Sequence, residues 1–68
     1  MARYYVNDNE QSNGDHEVHT EECSWLPMVI SMKYLGDFTG CRDAVAAAKR
    51  VYPKSNGCKW CALPCHTT

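Results

Sequence analysis

At 68 residues the chain has room for one domain, spanning residues 1–68. A chain so short buries only about 60% of the surface it exposes when unfolded, so a hydrophobic core alone leaves little net stability. The apolar share of 44% and charged share of 22% exclude wholesale disorder and fibrous repeats, and the longest nearly unbroken apolar run, Trp25 to Ile30, is interrupted by Pro27 and falls far below the roughly 20 residues of a membrane span.

The formal net charge of −1 hides an uneven distribution. Residues 1–32 carry Arg3 against six acidic side chains, whereas residues 33–68 carry six basic side chains against Asp37 and Asp43. Such asymmetry suits either two solvated faces or contact with an acidic partner. The first ten residues contain no apolar run resembling a secretory leader. The expected location is therefore cytoplasmic, with no membrane association and a monomeric chain.

In chain order, Tyr4-Tyr5-Val6 is a short β-prone run, and Asp15-His16-Glu17-Val18-His19 follows it after a polar loop containing Asn13-Gly14. An Asn-Gly pair tolerates positive φ and favours a reversal between two antiparallel strands. A third strand is expected at Met32-Lys33-Tyr34-Leu35, ended by Gly36-Asp37. Thr39 can cap a helix that has Asp43 in its first turn, Ala44, Ala46, Ala47 and Ala48 in its body, and Pro53 as its stop. On that helix Cys41, Val45, Ala48 and Tyr52 recur at helical spacing, and this apolar stripe should face the sheet. Residues 55–66 read as a tight loop and tail. The expected class is α+β: a small three-stranded antiparallel sheet with one helix, stapled by a metal site.

The five cysteines supply that staple. In a reducing compartment clustered cysteines are more often metal ligands than disulfides, and an odd number cannot pair completely within one chain. Cys58-x-x-Cys61 is a two-ligand turn, and His19-x-x-x-Cys23 is a second local pair 34 residues upstream. Together they form a Cys₃His set, a common structural zinc composition. Cys65 and His66 are alternative ligands to His19, which is favoured because it ties the two ends of the chain together. Cys41, on the apolar stripe, reads as a buried small hydrophobe, and His16 as a solvated strand residue. Trp25 and Trp60 follow the two ligand pairs closely and could shield the metal or contact a partner.

Catalysis finds little support in these residues. A dithiol redox site needs its C-x-x-C pair to open a helix, but here the pair follows the helix and is followed by Pro64. Covalent haem attachment requires a histidine at the position held by Ala62. Glu17, Glu21 and Glu22 surround His19 in sequence, but a short chain with all four metal positions filled leaves no room for a substrate. No catalytic residues are assigned, and the chain is expected not to be an enzyme.

The order His19-Thr-Glu-Glu-Cys23-Ser-Trp25-Leu26-Pro27, a strand with Tyr34-Leu35, an Ala-rich helix and then Gly57-Cys58-Lys59-Trp60-Cys61-Ala-Leu-Pro64 resembles the Ada-type small zinc-binding domain. That domain opens a bacterial alkylation-repair protein, and related modules are appended to some nucleases. The resemblance covers roughly residues 18–64. It implies an α+β domain of a small bacterial protein in which His19, Cys23, Cys58 and Cys61 hold one Zn²⁺. In the repair protein the first of these positions is the methyl-accepting cysteine; His19 stands there instead, and an imidazole is not the zinc-activated thiolate that methyl transfer uses.

The expected function is thus a small structural zinc-binding module that contacts a macromolecular partner, protein or nucleic acid. Nucleic-acid contact would use Arg42, Lys49, Arg50, Lys54 and Lys59. The alternative is a cysteine-based redox or metal-handling protein using Cys58, Cys61 and Cys65.

Overall fold

A computed structural model describes residues 1–24 and 26–66. The expected β-prone runs become β1 (Ala2–Asn7), β2 (His16–Thr20) and β3 (Met32–Phe38), followed by α1 (Cys41–Lys49) and a further strand, β4 (Ser55–Gly57). Single 3₁₀ turns occupy Leu26–Met28 and Leu63–Cys65.

The sheet order is β3-β1-β2-β4. β1 is antiparallel to both β2 and β3, while β2 and β4 run parallel, with His16 opposite Ser55 and Val18 opposite Gly57. The expected three-stranded antiparallel sheet is therefore a four-stranded mixed one. Ser55-Asn56-Gly57 has almost no β propensity, yet all three residues are buried and the ladder is extended by the Cys58 N–H donating to the Val18 carbonyl at 2.9 Å. Pairing with β2 supplies what local preference does not. This strand carries Cys58 into position, so the element missing from the sequence reading is one that builds the site.

Two other expectations shift. β3 runs on through Gly36-Asp37 to Phe38, because a bulge absorbs the irregularity: Tyr4 faces Gly36 and Tyr5 faces Tyr34, leaving Leu35 as the extra residue on β3. The helix starts one residue later than a Thr39 cap would set it, with Gly40 in extended conformation at the N-cap and no side-chain cap hydrogen bond. The expected reversal near Asn13-Gly14 is present, with φ +90° at Gly14 and the Asn13 carboxamide oxygen accepting the Asp15 N–H at 2.9 Å.

Alternation along β1 divides the molecule into two layers. Tyr4 and Val6 point to one face and join Val18, Ala44 and Ala48 in the main core, against which Leu35, Phe38, Cys41, Val45 and Tyr52 pack. The apolar stripe expected on α1 thus faces the sheet. Tyr5 points to the other face and packs with a second cluster of Cys23, Leu26 and Cys58.

Asp8, just after β1, gathers distant segments by accepting hydrogen bonds from the Tyr52 and Ser31 hydroxyls, each at 2.6 Å, and pairing with Lys33 Nζ at 3.1 Å. These donors hold its carboxyl at about pKa 2, below the usual value. The carboxylate is thus preferred more strongly in the folded state than in the unfolded one. Its stabilisation is complete above the unfolded pKa near about 4 and is lost as pH falls from there towards about 2. Acid titration followed by circular dichroism should show Asp8→Asn to be less stable at neutral pH and less sensitive to acid across that window. An unchanged acid transition would remove Asp8 from this role.

Candidate metal centre

Four donor-bearing side chains from separate segments meet below the second face of the sheet. β2 supplies His19, the turn after it supplies Cys23, and the turn after β4 supplies Cys58 and Cys61. Their ligand atoms all lie within 4.8 Å of one another. Cys23 Sγ and Cys58 Sγ are 3.8 Å apart, and Cys61 Sγ and His19 Nδ1 are 3.9 Å apart. His19, Cys23 and Cys58 are buried, with Cys61 partly so, and the three cysteines are free of disulfides. The group could hold a metal ion.

Each turn is built by backbone hydrogen bonds that face the donors inward. The Cys23 N–H donates to the Thr20 carbonyl at 3.1 Å, and the Leu26 N–H to the Cys23 carbonyl at 3.0 Å. In the C-x-x-C turn the Ala62 N–H donates to the Cys58 carbonyl at 2.9 Å. The sulfurs also accept backbone hydrogen bonds: the Thr20 N–H donates to Cys61 Sγ at 3.3 Å and the Trp60 N–H to Cys58 Sγ at 3.4 Å. On the far side of the imidazole, His19 Nε2 lies 3.5 Å from Glu17 Oε1. A carboxylate there orients the ring and fixes which nitrogen is left to ligate.

Burial pushes the Cys58 thiol pKa up and that of Cys61 to about 12, and it pushes the His19 pKa down. All three shifts have the same cause: a low-dielectric pocket penalises charge. A divalent cation reverses the preference at sulfur by compensating thiolate charge, while the neutral imidazole favoured by burial is already the ligating form.

The alternative ligands lie elsewhere. Cys65 is in a disulfide with Cys41, with a Cα–Cα separation of 6.2 Å, and His66 Nδ1 lies 3.1 Å from the Gly57 carbonyl oxygen. Cys41 is therefore not the free buried hydrophobe expected from its place on the stripe; it is half-buried and covalently tied to the C-terminal 3₁₀ turn. His16 is likewise not a solvated strand residue: its ring stacks on Tyr52 with centroids 3.9 Å apart, and its Nδ1 lies 2.9 Å from the Asn7 carbonyl oxygen. Trp60 is 67% exposed, so the site uses its backbone N–H, while Lys59 Nζ lies 5.6 Å from the centre of its ring. Trp25 lies outside the described residues.

Gly57, next to Cys58, is required by close approach. A Cβ there would come within 2.7 Å of the Ala62 carbonyl oxygen, 2.8 Å of Cys65 Cβ and 3.0 Å of the Cys65 carbonyl carbon. Two of these atoms are backbone, and Cys65 is held by its disulfide, so they cannot move cheaply. Gly57→Ala should cost about 1–3 kcal/mol in urea unfolding; wild-type stability in that variant would show that the C-terminal turn can give way.

The basic residues considered for nucleic-acid contact do not form one element. Arg42 and Lys49 are exposed on α1 and Arg50 at its end, Lys54 donates to the Asn13 carbonyl at 3.4 Å, and Lys59 belongs to the C-x-x-C turn. No helix among the described residues is long and apolar enough to cross a membrane. No protein-family model, curated protein or solved structure matches this chain.

Proposed function

We propose that this chain is a zinc-stapled module whose metal is structural, with the Cys₃His set as the observation that carries the reading. Sulfurs held about 2.3 Å from one ion at tetrahedral angles sit about 3.8 Å apart, matching the 3.8 Å between Cys23 and Cys58. A sulfur and an imidazole nitrogen around the same ion sit about 3.6 Å apart, a little less than the 3.9 Å between Cys61 and His19. Thiolate-rich tetrahedral sets favour zinc over hard cations. Four protein ligands leave no open coordination position, so the ion contributes folding energy rather than Lewis acidity. The ligand spacing is also what the Ada-type resemblance rests on; it supports the zinc site alone, because His19 replaces the thiolate that the repair chemistry uses. The module serves as a rigid scaffold for macromolecular contact and is not an enzyme.

The dithiol alternative is weaker on chemical grounds. A redox-active pair has a thiol of depressed pKa, whereas the pKa values of Cys58 and Cys61 are raised. The oxidised pair is instead Cys41–Cys65.

Elemental analysis of the purified protein, combined with far-UV circular dichroism before and after a strong chelator, tests the proposal. One zinc per chain and loss of the native spectrum on chelation are expected. A metal-free protein with a native spectrum would overturn it.

A further inference from the structure

Three of the four donors are sealed from water: His19 is 2%, Cys23 6% and Cys58 1% exposed. Cys61 alone is partly open. The C-x-x-C turn explains the difference, because it sends Cys58 and Ala62 inward and leaves Lys59, Trp60 and Leu63 in solvent, with Cys61 at the boundary. The Thr20 N–H occupies one side of the Cys61 sulfur at 3.3 Å. The open side is where a small molecule in solution first reaches the sulfur cluster.

A second thiol stands behind it. All the donor atoms lie within 4.8 Å of one another, so a short side-chain movement brings Cys58 Sγ to Cys61 Sγ. The turn that joins them is fixed at both ends, by the pairing of β4 with β2 before Cys58 and by the Cys41–Cys65 disulfide after Cys61. Because Cys41 and Cys65 are already linked, the cysteine sulfurs open to oxidation are the three of the cluster.

We infer that Cys61 is an oxidation site through which a hydroperoxide empties the metal centre. The inference rests on the zinc reading of the site. Coordination holds a thiol deprotonated, and the thiolate is the nucleophile in both steps. With hydrogen peroxide, the Cys61 sulfur attacks one oxygen: an S–O bond forms, the O–O bond breaks, hydroxide departs and a sulfenic acid remains. The Cys58 thiolate then attacks the Cys61 sulfur, forming an S–S bond as the S–O bond breaks and a second hydroxide leaves. The two sulfurs lose two electrons and the peroxide gains them. His19 and Cys23 are then too few to retain the ion. The event is stoichiometric, so it does not require the depressed pKa of a dithiol that turns over.

The test treats intact zinc-loaded protein with hydrogen peroxide while a chromogenic chelator reports free zinc. One zinc per chain should be released as the protein loses two hydrogens, and peptide mapping should place the new link between Cys58 and Cys61. Dimedone, which traps sulfenic acids, should label Cys61 ahead of Cys23 and Cys58. Cys61→His keeps four ligands and should hold its zinc through the same treatment, whereas Cys23→His keeps the open thiolate and should release zinc as the wild type does. Should either variant fail to bind zinc, dimedone labelling of the wild type decides. A protein without zinc before treatment overturns the zinc reading and this inference with it. A zinc-loaded protein that keeps its zinc under peroxide overturns this inference alone. So does a label falling first on Cys23 or Cys58, a link other than Cys58–Cys61, or a Cys61→His protein that releases zinc as readily as the wild type.

Discussion

Chelating the metal, or replacing any one of His19, Cys23, Cys58 and Cys61, is expected to unfold this protein. At about 0.05–0.15 kcal/mol per residue, a domain of this size has about 3–10 kcal/mol of total stability. Zinc binding in structural Cys/His sites contributes on the order of 10–16 kcal/mol at neutral pH. Removing the ion therefore removes more free energy than the domain holds in reserve. Cys58→Ser should be among the most damaging single changes, because Cys58 is buried, lies within the second cluster and closes the β4 end of the sheet through its N–H. His19→Ala adds a vacated volume to the lost ligand, and it leaves Glu17 without the imidazole 3.5 Å away.

Two measurements on the same samples separate loss of metal from loss of packing. If the site is the staple, the chelated wild type and the Cys58→Ser variant should show the same unfolded far-UV spectrum, and neither should refold on adding magnesium, a hard cation that prefers oxygen ligands. Zinc should restore the chelated wild type alone. A Cys58→Ser protein that has lost its zinc but melts where the wild type does would sink the structural role.

The second large effect is expected at the disulfide. Cys41 and Cys65 close a loop across a sequence separation of 24 residues, joining the first turn of α1 to the C-terminal 3₁₀ turn. By loop-closure entropy such a link stabilises by about 3 kcal/mol. In a domain of this length that corresponds to a fall in Tm of about 12–24 °C on reduction. Cys41→Ala combined with Cys65→Ala should show the same fall and no further response to reductant. The metal should stay bound in both cases, since its four donors are distinct from the linked pair. Thiol titration of the denatured, chelated protein should count three free thiols before reduction and five after. Five before reduction would show that the link does not form.

That link also changes what can be said about location. Disulfides persist in oxidising compartments and are rare in reducing ones, so the Cys41–Cys65 pair stands against both the cytoplasmic expectation and the reducing conditions under which all five cysteines were read. The gathering of His19, Cys23, Cys58 and Cys61 into a group that could hold a metal ion is independent of the compartment, because it is a matter of donor geometry.

Much of the candidate site is legible in the sequence. Two short pairs, His19 with Cys23 and Cys58 with Cys61, announce themselves because chelation by neighbours in sequence imposes fixed short spacings. The contribution of Glu17 was also within reach, since residues two apart on a strand share a face, placing it beside His19. The pairing of Cys41 with Cys65 was one step further: once three cysteines are assigned to the ion, two remain. Reading Cys41 only as part of an apolar stripe concealed this, because a cysteine satisfies a hydrophobic pattern and a covalent one equally well.

By itself, then, the sequence determined the α+β class, the first three strands and the helix with its core-facing stripe, and it named His19, Cys23, Cys58 and Cys61 as candidate ligands, with Cys65 and His66 as alternatives to His19. These follow from local preference, periodicity and spacing, each of which acts over a few residues. Tertiary structure alone decided that Ser55-Asn56-Gly57 is a strand, that it runs parallel to β2, and that the bulge at Leu35 lets β3 continue to Phe38. It also decided that the tail is tied to the helix and that Gly57 is too crowded for a side chain. The physical reason is common to these cases. Their stabilising contacts join residues far apart in sequence, and the entropy of bringing such segments together is repaid only when the sheet, the disulfide and the C-terminal turn form at once.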